Sequence, residues 1–180
     1  MKRKIFISIN LPVRDKKRLI RATEKWQDLP VKWIKEQNLH ITLVFLGHIS
    51  DEDMAEICEK VSEVAKNVEI FDLEFEKIEL SPDAENPKII RLRGETNENL
   101  RVLHEKIEKA LGLYVFSKKS FRPHITLGKI RRRKWEALEL KPKIREKYYF
   151  NVTAESVDVM ASDFGDDGQE YIIIQACSLA

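Results

Sequence analysis

The chain has 180 residues, enough for one compact domain or two small lobes around a shared core, and 43% of them are hydrophobic, which supplies that core. Its 32 Lys and Arg against 30 Asp and Glu leave a net charge of +2. That balance excludes a bulk polycation, so any contact with a polyanion must be local.

In chain order, Lys4 to Asn10 predicts a short strand, and Pro12 opens a helix with Leu19, Ile20, Ala22 and Trp26 on one face, ending before Pro30. Leu39 to Leu46 predicts a second strand. Ser50, followed by Glu52 and Asp53, predicts an N-cap with an acidic first turn. The helix behind it spaces Met54, Ile57, Cys58, Val61, Val64 and Ala65 along one face. Ile70 to Leu80 and Lys88 to Gly94 predict two strands joined by the loop SPDAENP. Asn97 or Thr96 can cap a helix that buries Leu100, Leu103, Ile107 and Leu111 and ends near Gly112. Phe121 to Ile130 is another strand, and 131–147 is predicted as a basic surface segment. Phe150 to Met160 and Tyr171 to Ala180 are predicted as a closing pair of strands, joined by a turn at Gly165 to Gly168. This order predicts an α+β fold with a mostly antiparallel sheet and one domain over 1–180, since no linker or low-complexity tract divides it.

The two cysteines, Cys58 and Cys177, are far apart and predicted as buried core thiols. No stretch approaches the ~18 apolar residues of a membrane span, and the N-terminal apolar stretch is too short for a signal segment. The expectation is a soluble, cytoplasmic monomer.

One tetrapeptide occurs twice: His40-Ile41-Thr42-Leu43 and His124-Ile125-Thr126-Leu127. Glycine follows each copy, at Gly47 and Gly128. The echo predicts two similar lobes, an internal duplication. On a strand, His and Thr point one way while Ile and Leu point the other. Two facing lobes would therefore gather two histidines and two threonines around one cleft. That set suits phosphodiester chemistry at a ribose. One imidazole takes a proton from the attacking oxygen and the other gives one to the leaving oxygen; the hydroxyls donate to non-bridging phosphate oxygens. The residues do not say which histidine does which. A lone histidine in a strand is usually structural, but packing does not explain the same polar pair twice among four histidines. His104, on a helix, reads as structural, and His48 as a surface loop residue. No carboxylate–histidine cluster suggests a metal and no P-loop suggests a nucleotide, so no cofactor is expected.

The stretches WIKEQNLHITLVFLGHI (33–49) and FRPHITLGKI (121–130) resemble the two-histidine phosphoesterase superfamily, and within it the RNA 2′,3′-cyclic phosphodiesterases, also called 2′-5′ RNA ligases. KIFISINLP and the two closing strands are similar to the same group, so the resemblance covers essentially the whole chain. It implies a bilobal α+β fold with a pseudo-twofold axis, outer helices and an open cleft between the lobes. It implies opening of a 2′,3′-cyclic phosphate at an RNA end, such as that of a tRNA fragment, to a 2′-phosphate, and joining or cleavage of 2′-5′ linkages without a cofactor. It implies His40 as proton donor, His124 as general base, and Thr42 and Thr126 as phosphate holders. Lys129 stands where relatives carry Arg, keeping the charge without the bidentate geometry, and Lys4 fills a second such position. The run KIRRRK (129–134) could guide an RNA backbone. Three alternatives stay open: a phosphodiesterase on small 2′-5′-linked or cyclic nucleotides, a nucleotide- or RNA-binding module without catalysis, and a zinc hydrolase built on His40 and His124.

Overall fold

The computed structural model describes residues 2–115, 121–166 and 168–180. It contains nine strands and four α-helices among these: β1 Lys2–Asn10, α1 Val13–Thr23, β2 Val31–Trp33, β3 His40–Ser50, α2 Asp51–Ala65, β4 Phe71–Ser81, β5 Ile89–Gly94, α3 Glu98–Ala110, β6 His124–Ile130, α4 Arg132–Glu136, β7 Arg145–Ala154, β8 Ser156–Gly165 and β9 Gly168–Ser178. All pairings are antiparallel, in the order β7-β4-β5-β6-β3-β1-β8-β9, with β2 added to β6. This is the predicted α+β class, with one open sheet in two four-strand halves. The halves meet at β3 and β6, the two strands that carry the repeated tetrapeptide.

The seam is narrow: Ile41 opposite Ile125 is the one registered pair between β3 and β6 among the described residues. Further along β6, β2 pairs instead, Trp33 opposite Gly128 and Val31 opposite Ile130. That approach requires glycine, because a Cβ at Gly128 would lie 2.4 Å from Val31 Cγ1. β2 has three residues, too few for its periodicity to be read, and was not foreseen.

Alternation within each tetrapeptide is clean. Ile41, Leu43, Ile125 and Leu127 are buried in one core with the helix residues Leu19, Ile57, Val61, Leu100, Leu103 and Ile107. Burying each such side chain contributes roughly 1.5–3 kcal/mol before entropy is counted. Helix α2 packs on β3, β8 and β9, and α3 packs on α2 and β3. Helix α1 lies over the other half, its Arg18 guanidinium 5.1 Å above the Phe150 ring. The caps are those of the sequence: Ser50 Oγ accepts the Asp53 N–H at 3.2 Å, and Asn97, not Thr96, caps α3 through Leu100 N–H at 2.8 Å. Both cysteines are free and buried.

Three expectations need correction. Helix α1 stops at Thr23, and Trp26 lies in a following 3-10 turn. The segment 131–147 is not only surface: it holds α4, anchored by buried Trp135, and the start of β7. Phe150 to Met160 is not one strand. It breaks at Glu155 into the end of β7 and the start of β8, which lie in opposite halves of the sheet. Beside the corner, Leu179 N–H donates to Glu155 O and Ala180 N–H to Val68 O, each at 2.9 Å. No Gly or Pro marks this corner, so hydrophobic pattern alone could not show it. In the predicted turn from Gly165 to Gly168, Asp167 lies outside the described residues; Gly165 pairs with Gly168, which adopts a φ of 110°.

Candidate active site

A cleft of about 990 Å³ opens over the seam. His40, Thr42, His124, Thr126 and Lys129 all line it. Continuing the Ile41–Ile125 register places His40 beside Thr126 and Thr42 beside His124. The outer neighbours follow the same rows: Asn10 opposite His40 and Ser8 opposite Thr42 on β1, Arg91 opposite Thr126 and Arg93 opposite His124 on β5.

Both imidazoles are held the same way. Nδ1 of His40 lies 2.7 Å from the carbonyl oxygen of Asn38, and Nδ1 of His124 lies 3.1 Å from that of Arg122. A carbonyl only accepts, so each Nδ1 carries the proton, and Nε2 is the nitrogen left for chemistry. On His40, Nε2 accepts from the Thr42 hydroxyl at 2.8 Å. Asn38 also ties this turn to β9: its amide donates to Gln169 O at 2.8 Å, and its Oδ1 accepts the Tyr171 N–H at 3.3 Å. The rings of Phe6 and Tyr171 each lie 5.0 Å from His40, centroid to centroid.

Burial is the largest influence on both imidazoles. It pushes His40 down to about 4, reinforced by the charges of Lys16 and Lys129, while the Asn38 carbonyl pulls the other way. Burial also lowers His124, with Arg91 adding to the effect and the Arg122 carbonyl opposing it. The unliganded site at neutral pH therefore presents a neutral His40 in a field of fixed cations. Arg91 is oriented by Glu79, its Nη2 2.9 Å from the carboxylate. Lys129 is lowered by burial and by the nearby charges of Lys32 and Lys4; its ammonium donates to Gln169 Oε1 at 3.3 Å.

Lys129 reaches the cleft because of a β-bulge. Pairing slips by one residue at Leu127, between Thr126 and Gly128, and this turns Lys129 to the same side as Thr126. The first copy slips at the same place, Leu43, and turns out Phe45. The rest of the KIRRRK run leaves the cleft on α4, where Arg132 is paired with Glu136 at 2.7 Å. His48 lies on β3 rather than in a loop and lines the cleft, and buried His104 lines it too.

Arg91, Asn38 and Tyr171 escaped the sequence reading. Arg91 alone had a signal: IIRLRG alternates arginines with Ile90 and Leu92, both wholly buried, so one face of an interior strand must carry charge. Among the described residues, no three His, Cys, Asp or Glu side chains gather as a metal site, and no helix is long and apolar enough to cross a membrane.

Comparison with known proteins gives a consistent picture. Residues 15–166 match the model of the 2′-5′ RNA ligase superfamily. An RNA 2′,3′-cyclic phosphodiesterase of Archaeoglobus fulgidus is 32% identical over 111 residues, 61% of this chain and 62% of the relative. One of Thermotoga maritima is 28% identical over 138 residues, 74% of each chain. The chain thus spans less than two thirds of the first of these relatives and about three quarters of the second. In fold, a Thermus thermophilus protein superposes with a TM-score of 0.82 at 21% identity, covering 98% of this chain and 97% of that one. Escherichia coli LigT in apo form superposes at 0.76 and 21% identity, covering 99% and 98%.

Proposed function

The chain belongs to the 2′-5′ RNA ligase superfamily, and from that premise we propose that it opens 2′,3′-cyclic phosphodiester ends of RNA to 2′-phosphomonoesters, using His40 and His124 as an acid–base pair. The observation that carries this reading is the matched locking of the two imidazoles: on neighbouring strands, each Nδ1 is engaged by the carbonyl two residues earlier, so both Nε2 atoms serve one cleft.

The phosphate sits between the rings. A water oxygen attacks phosphorus and its proton passes to Nε2 of His124. The P–O3′ bond breaks and the 3′-oxygen takes a proton from Nε2 of His40. His40 must first be charged, and the substrate supplies the reason: an anionic phosphate beside the ring stabilises imidazolium and lifts it from its depressed value. Thr42 and Thr126 turn their hydroxyls to the non-bridging oxygens, which releases Nε2 of His40 from Thr42. Arg91 and Lys129 hold the remaining charge. No metal or nucleotide enters the step. With a 5′-hydroxyl in place of water, the same movements make a 2′-5′ linkage, and their reverse cleaves one.

The names of relatives support the reading. The curated relatives cited above are called RNA 2′,3′-cyclic phosphodiesterases, and LigT, which shares the fold, has been crystallised with phosphate and with 3′-AMP. An RNA chain is favoured over a mononucleotide by the cations around the cleft: Lys32 pairs with Lys129 across β2 and β6, and the charge of Lys4, opposite His48 on β1, also reaches Lys129. The test is purified protein with an RNA ending in a 2′,3′-cyclic phosphate and mapping of the product. A 2′-phosphate is expected; an untouched end or a 3′-phosphate overturns the proposal.

A further inference from the structure

Two buried charges take no part in the step proposed above. Helix α1 turns Lys16, Leu19 and Thr23 inward. A lysine on such a stripe is unusual, because a buried ammonium loses its hydration and needs partners inside the protein. Lys16 is 7% exposed, whereas Lys17 beside it faces solvent. Its Nζ donates to Gln37 O at 3.2 Å, in the 3-10 turn Glu36–Asn38. The next carbonyl of that turn, Asn38 O, is the one that holds Nδ1 of His40. The ammonium thus clamps the turn one peptide away from the group that holds the ring. Asp158 on β8 is the second charge, 2% exposed and in one row with Ser8 and Thr42 across β8, β1 and β3. Ser156 Oγ donates to its Oδ1 at 3.0 Å, and Asp158 and Glu36 both attract the Lys16 ammonium. The other elements around His40 bring His124 and Lys129 on β6, Tyr171 on β9, and the uncharged Phe6 and Asn10 on β1. β9 also sets the Cys177 thiol near Asp158.

We propose that Lys16 is a positioning residue of the proton donor, anchoring the turn that holds His40 and placing behind the ring a buried positive charge that speeds release of its proton to the 3′-oxygen. This rests on the function proposed above and deepens it. Bound phosphate charges the imidazole from the Nε2 side, and an imidazolium stabilised by phosphate alone would part with its proton reluctantly. Lys16 opposes it from the Nδ1 side, so the charged ring stays a strong acid. As the P–O3′ bond breaks, the Nε2 proton passes to the 3′-oxygen and a neutral imidazole remains; Lys16 transfers nothing and keeps its hydrogen bond to Gln37. Asp158 and Glu36 keep the ammonium charged inside the fold.

The experiment has two readouts on the whole protein. The first follows the ring C–H resonances of His40 against pH by NMR without substrate, assigned with His40→Gln. In wild type the ring should titrate at about 4. In Lys16→Met it should titrate roughly half to one pH unit higher. Lys16→Met/Asp158→Asn removes both buried charges, so no carboxylate is stranded if the single variant fails to fold, and it should show the same displacement. Lys16→Arg keeps the charge and should titrate as wild type, as should Lys17→Met, which removes an exposed charge one residue on. The second readout is kcat against pH for opening a 2′,3′-cyclic RNA end. The alkaline limb should move upward in the double variant by a similar interval, and kcat on its acid side should fall at least about twofold with KM little changed. A His40 titration unmoved in the folded double variant, or a kcat lowered equally at every pH with its limb in place, overturns the role of Lys16 alone. A wild-type protein that leaves the cyclic end intact overturns the underlying function, and the role of Lys16 with it.

Discussion

The carbonyl of Asn38 lies 2.7 Å from Nδ1 of His40, while the side chain of the same residue bridges to Gln169 and Tyr171 on β9. One buried residue therefore fixes the ring's tautomer and joins it to the last strand. Asn38→Ala should strip two backbone groups of β9 of their partners and lower stability by about 1–3 kcal/mol. It should also lower kcat more than it raises KM, because it loosens the proton donor rather than the phosphate contacts. Chemical denaturation and steady-state kinetics check both; an unchanged kcat would separate Asn38 from the chemistry.

His40→Ala and His124→Ala should each reduce kcat for cyclic phosphate opening by roughly 10²–10⁴-fold, the usual contribution of a positioned proton-transfer group. Thr42→Ala and Thr126→Ala should cost less, since each removes one neutral donor while the cations remain. The double histidine variant should lose far less than the product of the single losses, because the two groups act as a unit. A folded double variant that works at the native rate would end the assignment.

The pH profile should depend on what is bound. In the empty site both imidazoles titrate below their ordinary value, His40 at about 4. The donor must be protonated, so kcat/KM should already be falling as pH rises through neutrality. Bound phosphate raises the donor, so the alkaline limb of kcat should lie at higher pH than that of kcat/KM. Coincident alkaline limbs would show that phosphate does not charge His40.

Folding stability should carry the same signature. His40 titrates near 6.5 when unfolded and about 4 when folded, so the folded state resists its proton. Stability is complete above about 6.5 and falls as pH drops toward 4, by up to about 3 kcal/mol. His40→Gln should flatten this part of the curve in urea titrations. Equal slopes in wild type and variant would refute the shift.

Cyclic phosphate opening should proceed in excess EDTA and without ATP, since the proposed step draws only on imidazoles, hydroxyls and fixed cations. An absolute need for a divalent ion, restored by zinc, would favour the hydrolase alternative built on the same two histidines.

What could be read in the sequence was whatever depends on local periodicity. His40 with Thr42 and His124 with Thr126 were legible because strand alternation fixes their face before any partner is known. The cap at Ser50 was legible, and that of α3 to within Thr96 or Asn97, because a cap bonds a backbone N–H only three residues on. Phe45 was not, because its facing depends on a bulge at Leu43 that exists only in the pairing with β1. Arg91 depends on β5 lying beside β6, and Asn38 on contacts with Gln169 and Tyr171 more than 130 residues away. The break at Glu155 was hidden because both sides of it are good strand.

That corner at Glu155 governs when the molecule can become itself. β1 is synthesised before every other strand described here, but its second neighbour, β8, is made only after residue 155. Until then the outer edge of β1 has no ladder partner, and Phe6, Ile7 and Ser8, all buried in the finished protein, lack their cover. Such distant pairings are slow to form, because a long loop must close before they repay its entropy. Nascent chains short of β8 should consequently be protease-sensitive and inactive even though both histidines have been synthesised, because β8 alone covers the outer edge of β1.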